Sequence, residues 1–215
     1  EGGEVAKTRL RVVLATFSLP SFGAAPLGQR PADITGSPNY AAGKFKNLEV
    51  THMLQPGTFW QMLQHSLFGD EQRVPTHAIP VVRRTRADYQ TPAASGLRAT
   101  WIGHATTLVE LEGRRVLFDP MFSERCSPVS FAGPKRFFPP PLPLAELPHI
   151  DIVAVSHDHY DHLDMESIRA LAAQGAEFVV PLGMGAHLQR WGVKLARINE
   201  LDWYDTATIA GLRLL

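Results

Sequence analysis

The sequence contains a single cysteine, Cys126, among its 215 residues, so no disulfide can form within the chain. It also has no excess of either charge, because 21 lysines and arginines balance 21 aspartates and glutamates. A chain without net charge offers no general attraction to nucleic acid, so we expect no nucleic-acid partner. The apolar fraction of 45% and the length are sufficient for one sizeable globular domain.

The apolar stretch near the N-terminus, residues 12–19, is far shorter than the roughly 20 residues of a transmembrane helix. Lys7, Arg9 and Arg11 precede it and small residues follow at 23–25, a layout that weakly resembles a secretory signal peptide. Two interpretations of this stretch stay open: a signal or anchor, and an ordinary chain segment. The protein is therefore expected either in the cytoplasm or associated with a membrane.

Two regions differ in composition. Residues 1–90 are rich in proline, glycine, glutamine and arginine, with few periodic runs, and are predicted to form an N-terminal extension or wrapping arm. One helix is predicted there at 58–67, with Phe59, Met62 and Leu63 on one face. Residues 91–215 carry regular apolar patterns and are predicted to form a folded domain.

The domain region alternates strand and helix patterns. Strands are predicted at 97–102, 107–112, 114–118, 151–155, 177–180 and 195–198, helices at 165–174 and 184–191, and the start of a hairpin at 206–214. Gly113 marks a tight turn, Asp164 is a predicted N-cap, and residues 121–148 are predicted to form a long irregular surface loop. This alternation is typical of a layered α/β fold.

Four potential metal ligands lie within six residues directly after the strand predicted at 151–155. They are His157, His159, Asp161 and His162. Imidazole nitrogen and carboxylate oxygen are ligands that zinc favours, and residues two apart in an extended segment point to the same side. His157 and His159 can therefore hold one metal, while Asp161 and His162 turn toward a second, about 4 Å away.

The alternative for these four residues is a solvated loop at a strand end. Three neighbouring imidazoles would repel one another in their cationic form unless a metal were present, which argues against this alternative.

The run from His157 to His162 matches the HxHxDH signature of the metallo-β-lactamase superfamily. Further segments resemble the N-acyl-phosphatidylethanolamine-hydrolysing phospholipase D branch of that superfamily and its bacterial relatives. They are TWIGHA at 100–105, FDP at 118–120, SP at 127–128, GPKRF at 133–137, SHDHYDHLD at 156–164, PLG at 181–183 and LDW at 201–203.

The resemblance implies an αββα sandwich, with two sheets face to face, helices outside and the metals at one sheet edge. It also implies a metal-dependent hydrolase: a phosphodiesterase of phospholipase D type that acts on a phospholipid-like substrate through a hydroxide held by two metal ions, expected to be zinc. A lipid substrate would favour a peripheral membrane contact.

The resemblance also suggests roles for single residues. It makes Asp161 and His104 the candidate catalytic residues, and it makes Asp119 an acceptor that orients the ligand loop. Turn-forming roles for His104 and Asp119 stay open. Lys135 and Arg136 are weak candidates for contacting a substrate phosphate, with a solvated basic pair as the alternative. His149, His187 and Cys126 receive no role.

The sequence departs from the family pattern after His187, where no further histidine occurs. The family requires a later histidine, a bridging aspartate and a last histidine. We therefore expect residues 91–215 to be the N-terminal half of a metallo-β-lactamase-like domain, completed in a longer chain or by a second chain. A lactonase or another metallohydrolase of the same fold, and an inactive half-domain with a binding or scaffold role, stay open as alternatives.

Overall fold

The computed structural model describes residues 34–47, 57–69, 72 and 74–215; the side chains of residues 66 and 67 are not described. The signal-like stretch at 12–19 lies outside these residues. Two short strands, β1 (Tyr40–Ala41) and β2 (Lys44–Phe45), form a hairpin near the start of the described chain.

Helix α1 (Thr58–Phe68) follows, one residue longer than predicted. Its apolar side chains Phe59, Trp60 and Met62 are exposed, so the apolar face does not pack on a core among the described residues. At 11 residues it is too short to span a bilayer, and the same holds for every other helix in the described part of the chain.

A six-stranded mixed sheet forms the centre of the molecule. Its strands, in the order in which they pair, are β3 (Leu97–Gly103), β4 (Thr106–Leu111), β5 (Arg114–Phe118), β6 (Ile152–Ala154), β7 (Glu177–Pro181) and β8 (Ile198–Leu201). The first three are antiparallel neighbours, and β5 to β8 are parallel. Glu112 and Gly113, with φ of 52° and 74°, make the predicted tight turn between β4 and β5.

Helices α2 (Met165–Ala173) and α3 (Gly185–Arg190) pack on one face of this sheet. Ile168 and Leu171 of α2 and Leu188 of α3 are fully buried there, in one cluster with the sheet residues Leu117 and Phe178. The spacing of these apolar residues along α2 is the buried stripe that the sequence predicts.

The other face of the sheet is partly covered by a hairpin of strands β9 (Ala207–Ile209) and β10 (Leu212–Leu214). Ile209, Leu212 and Leu214 form a second buried cluster, which includes Val116 and Ile152 from the central sheet. The layers are therefore helices, a mixed sheet and the beginning of a second sheet, as the αββα prediction requires.

One predicted strand is wrong in its position. Residues 195–198 were expected to be extended, but Leu195–Arg197 forms a 3₁₀ turn and the strand begins at Ile198. The Arg197 side chain bonds to the carbonyl oxygen of Gly175, so this turn is held against the end of α2.

The chain before β3 lies against the long loop at 121–148. The Arg84 amide donates to the Pro141 carbonyl (2.8 Å), and the Arg86 guanidinium donates to the carbonyls of Ala145 (2.8 Å) and Leu147 (3.1 Å). Residues 84–86 therefore lie against this loop, while the wrapping arm and the division at residue 90 stay predictions. The loop itself is irregular as predicted, with one isolated bridge between Arg125 and Lys135 and a 3₁₀ turn at Leu144–Glu146.

Candidate metal centre and adjoining cavity

Three strands run in the same direction and end at the same edge of the sheet. Asp119 follows β5, and the segment from Ser156 to His162 follows β6, its parallel neighbour. His104 follows β3, which is antiparallel to β4 and so parallel in direction to β5. The carboxyl ends of these strands therefore bring together residues that are far apart in the sequence.

Asp119 holds the start of the histidine segment in place. Its Oδ1 accepts from the Ser156 amide (2.7 Å), and its Oδ2 accepts from the Ser156 hydroxyl (2.9 Å) and lies 2.9 Å from His162 Nδ1. Its φ of 43° is unusual for a residue other than glycine, and the Thr106 hydroxyl secures this backbone by donating to the Asp119 carbonyl (2.7 Å). The carboxylate is thus aimed at the loop that follows β6.

His157 and His159 face each other, with His157 Nε2 3.1 Å from His159 Nδ1. The Ser156 hydroxyl lies 2.9 Å from His157 Nδ1. His159 Nε2 is buried and has no hydrogen-bond partner among the described residues. A buried nitrogen with an unused lone pair or proton is costly, and a metal ion is one group that satisfies it.

His104, Asp161 and His162 form a second group, whose ligand atoms all lie within 4.8 Å of one another. His104 Nε2 is 2.7 Å from Asp161 Oδ2, and His162 Nε2 is 3.4 Å from the same oxygen. His104 has a φ of 49°, and Gly103 before it has a φ of 128° that few other residues adopt. A Cβ on Gly103 would lie 2.9 Å from Nη2 at the end of the flexible Arg136 side chain, so the positive φ is the stronger reason for glycine here.

The surroundings shift the pKa values of three residues of the cluster. Burial, with the neighbouring charges of His162 and His159, lowers the pKa of His157. Burial also opposes the charge of His162, but the hydrogen bond and charge of Asp119 outweigh it and raise the pKa of His162. Burial works against the Asp161 carboxylate as well, yet its hydrogen bond to His104 lowers its pKa overall. A neutral His157 and an ionised Asp161 are the forms that bind metals.

The donor set therefore fits divalent metal ions. Imidazole and carboxylate donors converge, and two histidines form a close pair. One buried nitrogen, His159 Nε2, has no hydrogen-bond partner in the described part of the chain. The four predicted ligands lie together, and the structure adds His104 to the group of Asp161 and His162. Their roles as ligands stay predictions.

A cavity of about 950 Å³ opens beside this cluster. His104, His159 and Asp161 form part of its wall, and most of the remaining wall is apolar or aromatic. Its larger lining side chains include Trp101, Met121, Phe137, Phe138, Tyr160, Leu163 and Trp191. The cavity is large enough for a small organic molecule with a sizeable apolar part.

The two basic candidates, Lys135 and Arg136, both line this cavity but already have partners. Lys135 Nζ forms an ion pair with Glu124 (2.6 Å) at the surface. The half-buried Arg136 guanidinium donates to the Met121 carbonyl (2.8 Å) and to the Ile102 carbonyl (3.4 Å). Arg136 therefore ties the long loop to the end of β3.

Sequence reasoning gave no role to two residues that line the cavity, His187 and Cys126. Trp191 directly follows α3 and lies four residues after His187, a spacing that places both on one side of the helical turn. Burial, followed by the charge of Asp161, raises the pKa of the Cys126 thiol. The protonated thiol is a poor metal ligand and nucleophile, so Cys126 is assigned no chemistry.

The layered α/β fold and the histidine–aspartate cluster at a sheet edge define the class of metallo-β-lactamase-like proteins. Residues 114–215 match the model of a beta-lactamase superfamily domain, and this match confirms the predicted resemblance to that superfamily. A Mycobacterium bovis protein named only as uncharacterized is 42% identical over 187 residues, which cover 83% of this chain and 48% of that protein.

Two named relatives extend the comparison. The N-acyl-phosphatidylethanolamine-hydrolyzing phospholipase D 1 of Caenorhabditis elegans is 39% identical over 148 residues, covering 66% of this chain and 41% of the relative. A UPF0173 metal-dependent hydrolase of Caldivirga maquilingensis is 36% identical over 120 residues, covering 51% of this chain and 47% of the relative. The chain thus spans a little under half the length of each of these relatives.

Proposed function

We propose that the protein is a metal-dependent hydrolase that cleaves the phosphodiester bond of a phospholipid-like substrate, in the manner of a phospholipase D. The observation that carries the proposal is the placement of the histidine–aspartate cluster in the wall of a large, mostly apolar cavity. Identity of 39% to a phospholipase D, across 66% of this chain, supports the substrate class. Such a substrate implies a peripheral membrane contact.

Different residues of the chain would bind the metal ions and orient the ligands in such a reaction. His157 and His159 would hold one metal ion, and Asp161 and His162 a second, with zinc as the proposed metal. Bound divalent metals supply Lewis acidity to a phosphoryl oxygen and lower the pKa of water. Asp119 fixes the orientation of His162 through its 2.9 Å contact with Nδ1.

His104 Nε2 lies 2.7 Å from Asp161 Oδ2, and this hydrogen bond favours the ionised carboxylate. Asp161 would accept a proton in the reaction and His104 would hold its carboxylate in position, which is the proposed catalytic role of this pair. The apolar wall binds the hydrocarbon part of the substrate and keeps water away from it.

The predicted domain division forms part of the proposal. Residues 91–215 would supply the first ligands of a metallo-β-lactamase-like domain, with residues 1–90 as an arm against it. The remaining family ligands, two histidines and a bridging aspartate, would come from a longer chain or from a second chain. The chain spans 48% of the Mycobacterium bovis relative and 41% of the Caenorhabditis elegans relative, and this partial coverage supports the arrangement.

Elemental metal analysis tests the metal centre first. We expect tightly held divalent metal in the desalted full-length protein and a loss of most of it in a His157→Ala, His159→Ala double variant. His149→Ala, which changes an exposed histidine outside the cavity, should keep the wild-type content. Equal metal content in all three proteins would show that these histidines are not ligands.

A comparative assay tests the reaction. The metal-loaded full-length protein should hydrolyse a phosphodiester, and the double variant should lose at least about a hundredfold in rate, a typical loss when a catalytic metal is removed. Turnover of a sugar lactone without turnover of any phosphodiester would refute the phosphodiesterase proposal and favour a lactonase of the same fold.

A further inference from the structure

His187 lies on the wall of the cavity that α3 supplies. The helix is firmly placed, because Ala186 and Leu188 are buried and the Gly185 amide donates to Glu200 Oε1 (2.8 Å). The His187 ring lies 6.1 Å from the ring of Trp191, centroid to centroid, and both side chains line the cavity. Helix packing therefore points this imidazole into the space beside the histidine–aspartate cluster.

The His187 imidazole makes no hydrogen bond with any residue that the structure describes. Of the two cationic side chains of the cavity wall, Lys135 is paired and Arg136 is bound through its Nη atoms, while Arg136 Nε has no hydrogen-bond partner among the described residues. Lys135 is bound to Glu124 at 2.6 Å and Arg136 to the Met121 carbonyl at 2.8 Å. Most of the cavity wall outside the histidine–aspartate cluster is apolar or aromatic. A half-buried polar group in such surroundings binds best to a ligand that brings its own hydrogen-bond partner.

We propose that His187 determines substrate specificity by donating a hydrogen bond to an acceptor oxygen in the arm of the substrate, outside the bond that is broken. The acceptor is an ester or amide carbonyl, because a neutral acceptor of this kind can sit within an otherwise apolar arm. The inference rests on the proposed function to the extent that the cavity receives the substrate. The inference goes beyond the proposed function because it assigns His187 a polar contact with the substrate away from the proposed metal ligands.

Calorimetric binding measurements on the full-length protein test this proposal. The probes are phosphate diesters that carry arms of equal length. One probe has a plain alkyl arm, and each of the others has one ester carbonyl, placed at a different position along the arm. At one position of the carbonyl we expect binding about tenfold tighter than to the plain arm, as one net hydrogen bond of about 1.4 kcal/mol would give.

Two substitutions separate hydrogen bonding from shape. His187→Leu keeps an apolar side chain of moderate size and should abolish the tenfold preference while leaving binding of the plain arm within about twofold. His187→Gln retains a donor and should keep most of the preference. His149→Leu changes an exposed histidine outside the cavity and should behave as wild type.

Several outcomes would overturn the proposal. The first is a wild-type protein that binds neither kind of probe, or that shows no preference at any carbonyl position. The second is a His187→Leu variant that keeps the preference. The third is a His187→Leu variant that binds both kinds of probe more weakly by the same factor. Hydrolysis of the same probes is measured separately. A preserved, His187-dependent preference without any hydrolysis would contradict the proposed function and leave the role of His187 standing.

Discussion

The Asp119 carboxylate contacts the Ser156 amide, the Ser156 hydroxyl and the His162 ring, and this gives it control over the charge of His162. In Asp119→Asn, the negative charge is lost while burial still disfavours the imidazolium. We expect the pKa of His162 in metal-free protein to fall from its raised position, with the charge of Asp161 alone still favouring the imidazolium. NMR titration of the histidine ring protons in chelator-treated protein measures this change.

The same substitution should alter stability in a pH-dependent way. Because Asp119 raises the folded-state pKa of His162, the stabilisation is fully present below the unfolded value and is lost as pH rises through the folded value. The variant should therefore lose more unfolding free energy at about pH 6 than at about pH 9. A larger loss at the higher pH would show that His162 is not the group coupled to Asp119.

Some of the candidate site could be predicted from the sequence and some could not. His157, His159, Asp161 and His162 were predictable because their spacing within one short segment fixes their relative positions. The 2.7 Å contact of His104 with Asp161 depends on how β3 and β6 are placed in one sheet, which local patterns do not specify. The metal-ligand roles of the four residues remain predictions.

At the scale of single elements, the junction between α2 and the long loop depends on Asp164. It occupies the N-cap position as predicted, but its carboxylate makes no hydrogen bond to the backbone of the helix. It accepts instead from the amides of Phe122 (3.2 Å) and Ser123 (3.0 Å), and from the hydroxyls of Ser123 and Ser167. The buried carboxylate therefore fixes the start of the loop that lines the cavity.

Asp164→Ala should destabilise the protein by about 2–4 kcal/mol, because several buried donors lose a charged acceptor at once. Urea unfolding followed by circular dichroism gives this value. Glu166→Ala, in the first turn of the same helix, removes only an exposed ion pair with Arg169 and should cost less than about 0.5 kcal/mol. Equal losses in the two variants would show that the loop contacts of Asp164 contribute nothing.

The element boundaries were predicted well where apolar residues alternate or repeat. The strand at Arg114–Phe118 was predicted to the residue, and α2 ends one residue earlier than expected. The misplaced strand at 195–198 shows the limit of such patterns, since a 3₁₀ turn at Leu195–Arg197 presents apolar residues without extended backbone. The exposed apolar side chains of α1 show a second limit of sequence patterns, because periodicity predicts a helix but not which residues pack against it.

At the scale of the whole molecule, the β9–β10 hairpin is the described structure that buries the second face of the central sheet. Leu212→Ala should cost about 2–4 kcal/mol, because the cavity left between the hairpin and Val116 cannot fully close. Denaturant unfolding measures the loss. Arg213→Ala changes the exposed neighbour on the same strand and should lie within about 0.5 kcal/mol of wild type. A similar small loss for Leu212→Ala would mean that the hairpin is only loosely attached.

The assembly of the site from three strand ends has a consequence for how the protein is made. Asp119 meets Ser156 across 37 residues, and His104 meets Asp161 across 57. A growing chain therefore has no complete cluster until the segment after β6 has left the ribosome and β6 has paired with β5. Closing segments of this length is a slow step in folding. Metal added during synthesis would find only scattered histidines at first, so tight uptake should report on the completion of folding rather than guide its beginning.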